Sequence, residues 1–191
     1  NISSSALIDS TKIGNGDVTN TNLSNINSLS SNVQTQIDTI NTNIQTKACD
    51  LYHKPSSITS YNSNWTDVPM NIERTIDSNF IHATDSPEIT IVNSDNYLII
   101  AKCSGYNITR TRSSSQFRLV KNSGSGYTQI DGTICYLYHR YNGFLGYETA
   151  STPLIINLSA GDKIKMQIKI IQGTTTLYIP SQSSSIVIKN I

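Results

Sequence analysis

The sequence has 191 residues, 37% hydrophobic and 14% charged, with a formal net charge of +1. That length suits one domain plus an extension, and the near-neutral balance argues against a nucleic-acid binder, which would carry a basic stripe. No apolar run reaches the ~18 residues that a membrane-spanning helix needs, so no membrane insertion is expected. Three cysteines, Cys49, Cys103 and Cys135, are too few and too scattered for a disulfide framework or a zinc cluster. They read as buried free thiols, with an interchain bond through Cys49 left open.

The chain starts at Asn1 with neither an initiator Met nor a signal-peptide pattern, and reads as the C-terminal part of a longer polypeptide. Residues 1–17 hold isolated apolar residues, Leu7, Ile8 and Ile13, before a Gly14-Asn15-Gly16-Asp17 turn signal, and read as an extended shaft segment. Residues 18–48 hold a narrow apolar seam. Ile26, Leu29, Val33, Ile37, Ile40 and Ile44 follow at steps of three, four, four, three and four, with Asn, Ser, Thr, Gln and Asp between them. That is an eleven-residue step followed by a seven-residue step, a coiled-coil seam carrying a stutter. A helix covering a globular core needs a wider apolar face. β-Branched residues at most seam positions favour three strands over two, so the spacing predicts a trimeric coil. The competing reading is a short surface helix or an Asn/Ser/Thr tract with accidental spacing.

Residues 49–60 contain Pro55 among serines and read as a linker. From residue 61 onward the period changes from helical to two. In ITIVNSDNYLIIAKC, Ile89 and Ile91 precede a turn, after which Tyr97, Ile99, Ala101 and Cys103 alternate with their neighbours. QFRLVKNSGSGYTQI and TICYLYHR supply further strands around a Gly/Ser turn. PLIINLSAGDKIKMQIKII reads as a hairpin: Leu154, Ile156 and Leu158 on one side, a Ser-Ala-Gly-Asp turn, then Ile164, Met166, Ile168 and Ile170 alternating with Lys and Gln. SSSIVIKNI closes the chain. Short, evenly spaced strands without a helical pattern among them predict a mainly β fold, a sandwich or jelly roll over residues 61–191.

Asp95-Asn96-Tyr97 opening a strand, Phe117 to Asn122 in the middle, Leu158-Ser159-Ala160-Gly161-Asp162-Lys163-Ile164 as a turn and Ser185 to Ile188 at the end resemble the C1q/tumour-necrosis-factor-like jelly roll. The chain departs from that pattern where Ile186 and Val187 replace an aromatic-Gly pair. Residues 18–44 resemble segments of phage tail fibres and of the fibres of large DNA viruses. Together the two resemblances imply an antiparallel jelly-roll head on an N-terminal trimeric coiled-coil stalk: a viral fibre on the virion surface, outside the cell. They imply a homotrimer whose axis is lined by the sheet holding the first and last strands, with Tyr97, Ile186, Ile188 or their outward neighbours such as Val187 between chains.

Chemistry is thin. Glu148 with Asp131 or Asp162 are the candidate carboxylate pairs for glycoside hydrolysis, and nothing in the sequence brings any two together. His53, His82 and His139 are dispersed, with no nucleophile-elbow context nearby. Gly124-Ser125-Gly126 lacks the Lys and the strand-to-helix setting of a phosphate loop. Sequons at Asn1, Asn22, Asn64, Asn107 and Asn157 occur about as often as this composition gives by chance. No catalytic residue, metal ligand or cofactor is expected, and a glycan-cleaving enzyme ranks third among the readings.

What remains is a binding surface. YLYHRYNGFLGY, residues 136–147, gathers five aromatics and an arginine around two glycines, with the loop aromatics facing either outward or over the end of the sandwich. Exposed Tyr, Phe and Arg anchor recognition sites. If strands alternate up and down, residues 107–115, 140–149 and 172–184 meet at the end away from the stalk. Arg110, Arg112, Arg140, Tyr141, Phe144, Tyr147 and Tyr178 would then form one patch, and residues 122–126 and 159–162 would face the stalk. The leading expectation is a receptor-binding head that attaches to a host cell-surface receptor, with glycans among its candidate ligands. The alternative is a trimerisation cap that finishes a fibre without a ligand.

Overall fold

The computed structural model describes residues 33, 35–40, 47–55, 60–107, 112–140, 146–173 and 176–191. In the N-terminal unit, Val33 and residues 35–40 are helical, and Val33, Ile37 and Ile40 are exposed in the single chain. The other seam positions, Ile26, Leu29 and Ile44, lie outside the described residues.

The second unit, Thr46–Ile191, is a sandwich of two antiparallel sheets. In chain order its strands are β1 Ala48–Tyr52, β2 Ser60–Tyr61, β3 Thr66–Asp67, β4 Ile72–Ile76, β5 Phe80–His82, β6 Ile89–Ile91 and β7 Asp95–Asn107. Then follow β8 Ser113–Asn122, β9 Tyr127–Gln129, β10 Cys135–His139, β11 Gly146–Leu158, β12 Lys163–Gln172, β13 Leu177–Tyr178 and β14 Ser185–Asn190. The first sheet runs β11-β7-β14-β1-β4. β13 pairs with β7 at Tyr106, beyond the last β14 rung at Lys102, and links β7 to β2. The second sheet runs β10-β8-β12-β6-β5, with β9 on β8 and β3 on β12.

Alternation builds the core. Along β12, Ile164, Met166, Ile168 and Ile170 are buried while Lys163, Lys165, Gln167 and Lys169 are only partly covered. Across the sandwich they share one cluster with Tyr97, Ile99, Ala101 and Cys103 of β7, Ile186 and Ile188 of β14, and Cys49 and Leu51 of β1. Each large aliphatic side chain withdrawn from water in this way contributes about 1.5–3 kcal/mol.

Three expectations are corrected. The stretch from residue 49 is not a linker at its start, because Cys49 to Tyr52 lie within β1, which pairs with both β14 and β4. The strands on either side of Ser159 to Asp162 do not form a hairpin: β11 belongs to the first sheet and β12 to the second, so the turn crosses between layers. Tyr97, Ile186 and Ile188 are buried in the core of their own chain, and it is Val187, of opposite parity, that faces outward.

The crossing turn explains its sequence. Gly161 has φ of 88°, which suits glycine. Its N–H donates to Ile91 O, and the Ile91 N–H donates to Asp162 O, both at 2.8 Å, which sutures the turn to β6. Asp162 accepts from the Ser159 N–H at 3.0 Å and lies 3.4 Å from Lys121 Nζ. Burial alone would raise the Asp162 carboxyl, but hydrogen bonds from Ser123 and Ser159, together with Lys121, hold it below its usual value. On the outer face of the second sheet, Lys163 meets Glu88 at 2.6 Å, and the Tyr127 hydroxyl donates to the same carboxylate. Those two hydrogen bonds depress the Glu88 carboxyl.

Two predictions follow from these environments. Carboxylates with depressed folded-state pKa values stabilise fully above their unfolded values and lose that contribution as pH falls through the folded ones. Thermal melts should therefore show the midpoint dropping between about pH 5 and pH 3. Glu88→Gln should lower the melting temperature at pH 7 and flatten part of the acid slope. A pH-independent midpoint would contradict the assignment. Burial, then Glu73 and Asp50, push the Cys49 thiol up to about 12, and burial does the same to Cys103. Cys49 faces the core and is free, which removes the interchain bond left open above. Native alkylation followed by mass mapping should modify Cys135 slowly, and Cys49 and Cys103 only after unfolding.

Candidate functional site

The ladder registers place the strand ends that border the three connections singled out above at one end of the sandwich. Asn107 at the end of β7 faces Gly146 at the start of β11, and Ser113 at the start of β8 faces His139 at the end of β10. Ser114 faces Gln172 at the end of β12, and Tyr106 faces Tyr178 of β13. The opposite end gathers the start of β1, where Ala48 faces Lys189, together with the Leu158–Asp95 rung and the Lys163–Asn122 rung that border the other two turns.

Of the seven expected ligand residues, the four that are described fall on two different sheets. Arg110, Tyr141 and Phe144 lie outside the described residues. Tyr147 and Tyr178 flank Tyr106 on adjacent strands of the first sheet, with ring centroids 4.9 and 5.5 Å away and interplanar angles of 33° and 31°. Burial raises the Tyr106 hydroxyl, and the flanking tyrosines add to the effect. Arg112 and Arg140 belong to the other sheet. They stand one step beyond the Ser113–His139 rung, where continued register would set them opposite each other, and both are exposed. Tyr106, the centre of the tyrosine rung, was missed in the sequence. Counting by two from the inward Cys103 puts residue 105 inside and 106 outside, which is the signal that locates it.

The outer face of the first sheet continues from the tyrosines along β7 through Ser104 and Lys102 to Ile100 and Leu98. Ile100 is 41% exposed and lies between Pro153 of β11 and Val187 of β14. Ile155, opposite Leu98, is 68% exposed. Leu98, Ile100, Pro153, Ile155 and Val187 thus form an open apolar group at the middle of this face.

On the second sheet, Arg112, Ser113, Ser114, Tyr138, Gln172 and Gly173 line a pocket of about 240 Å³. The β12–β8 register shifts between Ile170 and Gln172, so a bulge turns the end of β12 beside it. Gly173 has φ of 93°, and a Cβ there would stand 2.1 Å from Arg112 O. Only glycine lets the two backbones approach this closely.

Behind this surface the interior becomes polar. Ser115 Oγ and His139 Nε2 are 2.8 Å apart and Asn107 donates to Ser113 at 2.9 Å, all four residues being buried. This Ser–His pair was invisible as a sequence motif because its members sit on different strands, and its burial keeps substrates away. His53 Nδ1 bonds Pro69 O at 2.7 Å, and burial lowers its pKa. His82 bridges Glu73 and Ser86 O. Glu148 lies near the pocket end and Asp162 at the other, so that carboxylate pair is not assembled. Among the described residues no group of three His, Cys, Asp or Glu is placed to hold a metal, and no helix is long and apolar enough to cross a membrane.

No protein-family model matches the sequence, and neither does any curated protein sequence. Solved structures do match. Murine APRIL at pH 5.0 superposes with a TM-score of 0.50 at 13% identity, covering 77% of this chain and 100% of that one. Eiger TNF from S. frugiperda superposes with a TM-score of 0.50 at 11% identity, covering 76% of this chain and 92% of that one. Likeness at such identity speaks for the fold alone, and the sandwich is accordingly a TNF-like jelly roll.

Proposed function

We propose that this chain is the receptor-binding head of a homotrimeric fibre of the kind carried on a virion surface, joined to a coiled-coil stalk formed by the residues from 18 up to the start of β1. The observation that carries the reading is that the strand ends bordering three connections gather at the end opposite Ala48, where β1 begins. Binding residues concentrate on loops held by a rigid scaffold, and a TNF-like jelly roll is typical of trimeric ligand-binding heads. Three copies turn weak individual sites into an avid attachment.

The trimer axis in this reading is lined by Leu98, Ile100, Pro153, Ile155 and Val187, the apolar group on the outer face of the first sheet. Tyr106, Tyr147 and Tyr178 share that face and fall at the far end of the axis. Arg112 and Arg140, on the other sheet, point away from the axis and carry ligand contact.

The full chain should scatter light as three copies at micromolar concentration. Ile100→Asp combined with Val187→Asp should yield monomers, because charges would be buried between chains. Ile37→Asn alone should weaken the stalk and leave the head trimeric. A wild-type chain that stays monomeric would sink the assembly.

Attachment of labelled protein to host cells should fall severalfold in Arg112→Ala with Arg140→Ala, with trimer stability unchanged. Lys121→Ala, at the opposite end, should have no effect. Attachment that ignores the arginines and depends on Lys121 would reverse the orientation of the head. A trimer that attaches to no cell favours the assembly cap.

A further inference from the structure

We infer that the pocket between Arg112 and Tyr138 is a subsite for a single acidic pyranose, the carboxylate-bearing end unit of a surface glycan. The inference rests on the head reading above and names the ligand class of its binding surface.

The pocket is built rather than incidental. A bulge turns the last residues of β12 toward it, and Gly173 lets the β12 backbone close against Arg112 and Ser113 at a distance no side chain would permit. Together these two features bring Gln172 to the same cavity as Ser114 and Arg112.

Its size and lining select the ligand. A cavity of about 240 Å³ lies below the usual range for drug-sized ligands of ~300–1,000 Å³ and suits one ring with its substituents. Arg112 offers a planar fork of donors that matches a carboxylate, and among the described residues that line the pocket none is acidic. Arg140, one register step beyond the His139–Ser113 rung, adds positive charge beside Arg112. Ser114 and Gln172 can both donate to and accept from ring hydroxyls. Tyr138, 50% exposed, provides an apolar ring face, and Tyr136, two residues back on the same outward face and 67% exposed, extends that platform toward the next unit of a chain.

These features favour a sugar over other anions. A phosphate or sulfate ion would gain nothing from the exposed tyrosine face, and a nucleic acid would require a longer run of positive charge. A neutral sugar would leave the Arg112 guanidinium without a counter-charge in the pocket. An acidic pyranose satisfies the cation, the hydroxyl partners and the ring face together.

Ligand-observed NMR on the full chain, with glucuronic acid and N-acetylneuraminic acid as probes and glucose and N-acetylglucosamine as neutral controls, tests the assignment. At least one acidic sugar should bind, and its affinity should fall about tenfold or more in Arg112→Gln, the scale of one charge-assisted hydrogen-bond pair. Arg112→Lys should restore part of it, and Tyr138→Ala should weaken binding without changing the preference for acid over neutral sugar. Lys121→Gln should have no effect. Failure of both acidic sugars to bind, or undiminished binding in both Arg112→Gln and Tyr138→Ala, overturns the subsite. Cell attachment read in parallel separates this failure from that of the head: attachment that persists when acidic sugars neither bind nor compete removes the ligand class and leaves the head standing.

Discussion

Thirteen consecutive rungs between β7 and β11, from Leu158 opposite Asp95 to Gly146 opposite Asn107, constrain most of what surrounds them. With one edge of β7 occupied along its whole length, β14 and β13 must share the other, one taking residues 97–102 and the next taking Tyr106. The same rungs set parity for the first sheet. Once Tyr97 is packed edge-on against Phe80 in the core, at 5.8 Å between ring centroids, every even-numbered residue of β7 from Leu98 to Tyr106 must face outward. The apolar group and the tyrosine rung are two ends of one consequence.

The two outer faces then diverge in chemistry. On the second sheet, Asp67 joins Lys165 and Gln167, Glu88 joins Lys163 and Tyr127, and Trp65 lies under Arg118 at 4.0 Å and Lys169 at 4.6 Å. Isolated surface pairs of this kind contribute about 0–1 kcal/mol each. Their larger effect is to satisfy the long polar side chains over the strands, so that face asks for no further cover. The first sheet offers Leu98, Ile100, Pro153 and Ile155 no such lacing, and its centre is where a partner gains most by excluding water.

The core is also graded along its length. Near the start of β1 it is apolar, with Phe80 and Tyr97 among its side chains. Toward the pocket end the inward positions pass to Asn107, Ser113, Ser115 and His139, with His53 and Ser184 nearby in the same end of the fold. Buried polar groups cost stability unless paired, and here they bond one another: Ser184 receives the Ser104 N–H at 3.0 Å, and Ser115 meets His139. A short-range, directional network holds strand ends in place where apolar packing has run out.

The sequence by itself determined the strands from β6 to β12 and β14 and the positions of the turns between most of them. Alternation in β12 and in the first half of β7 is a local property, set by which residues stand two apart, and Gly161-Asp162 announces its own turn because only glycine takes that φ and the carboxylate bonds the adjacent N–H. Only the tertiary structure decided which sheet each strand joins and which way each turn passes. Ala48 to Tyr52 is too short to show a period and precedes Pro55, so it reads as linker until β14 and β4 pair with it. The turn at residues 159–162 looks like a hairpin until β7 and β8 claim its two flanking strands for different layers. The described members of the expected patch, Arg112 and Arg140 on one sheet and Tyr147 and Tyr178 on the other, divide for the same reason. Proximity of loops fixes the end of the sandwich at which residues lie, whereas the face they occupy depends on hydrogen-bonded registers between distant segments, which no local pattern encodes.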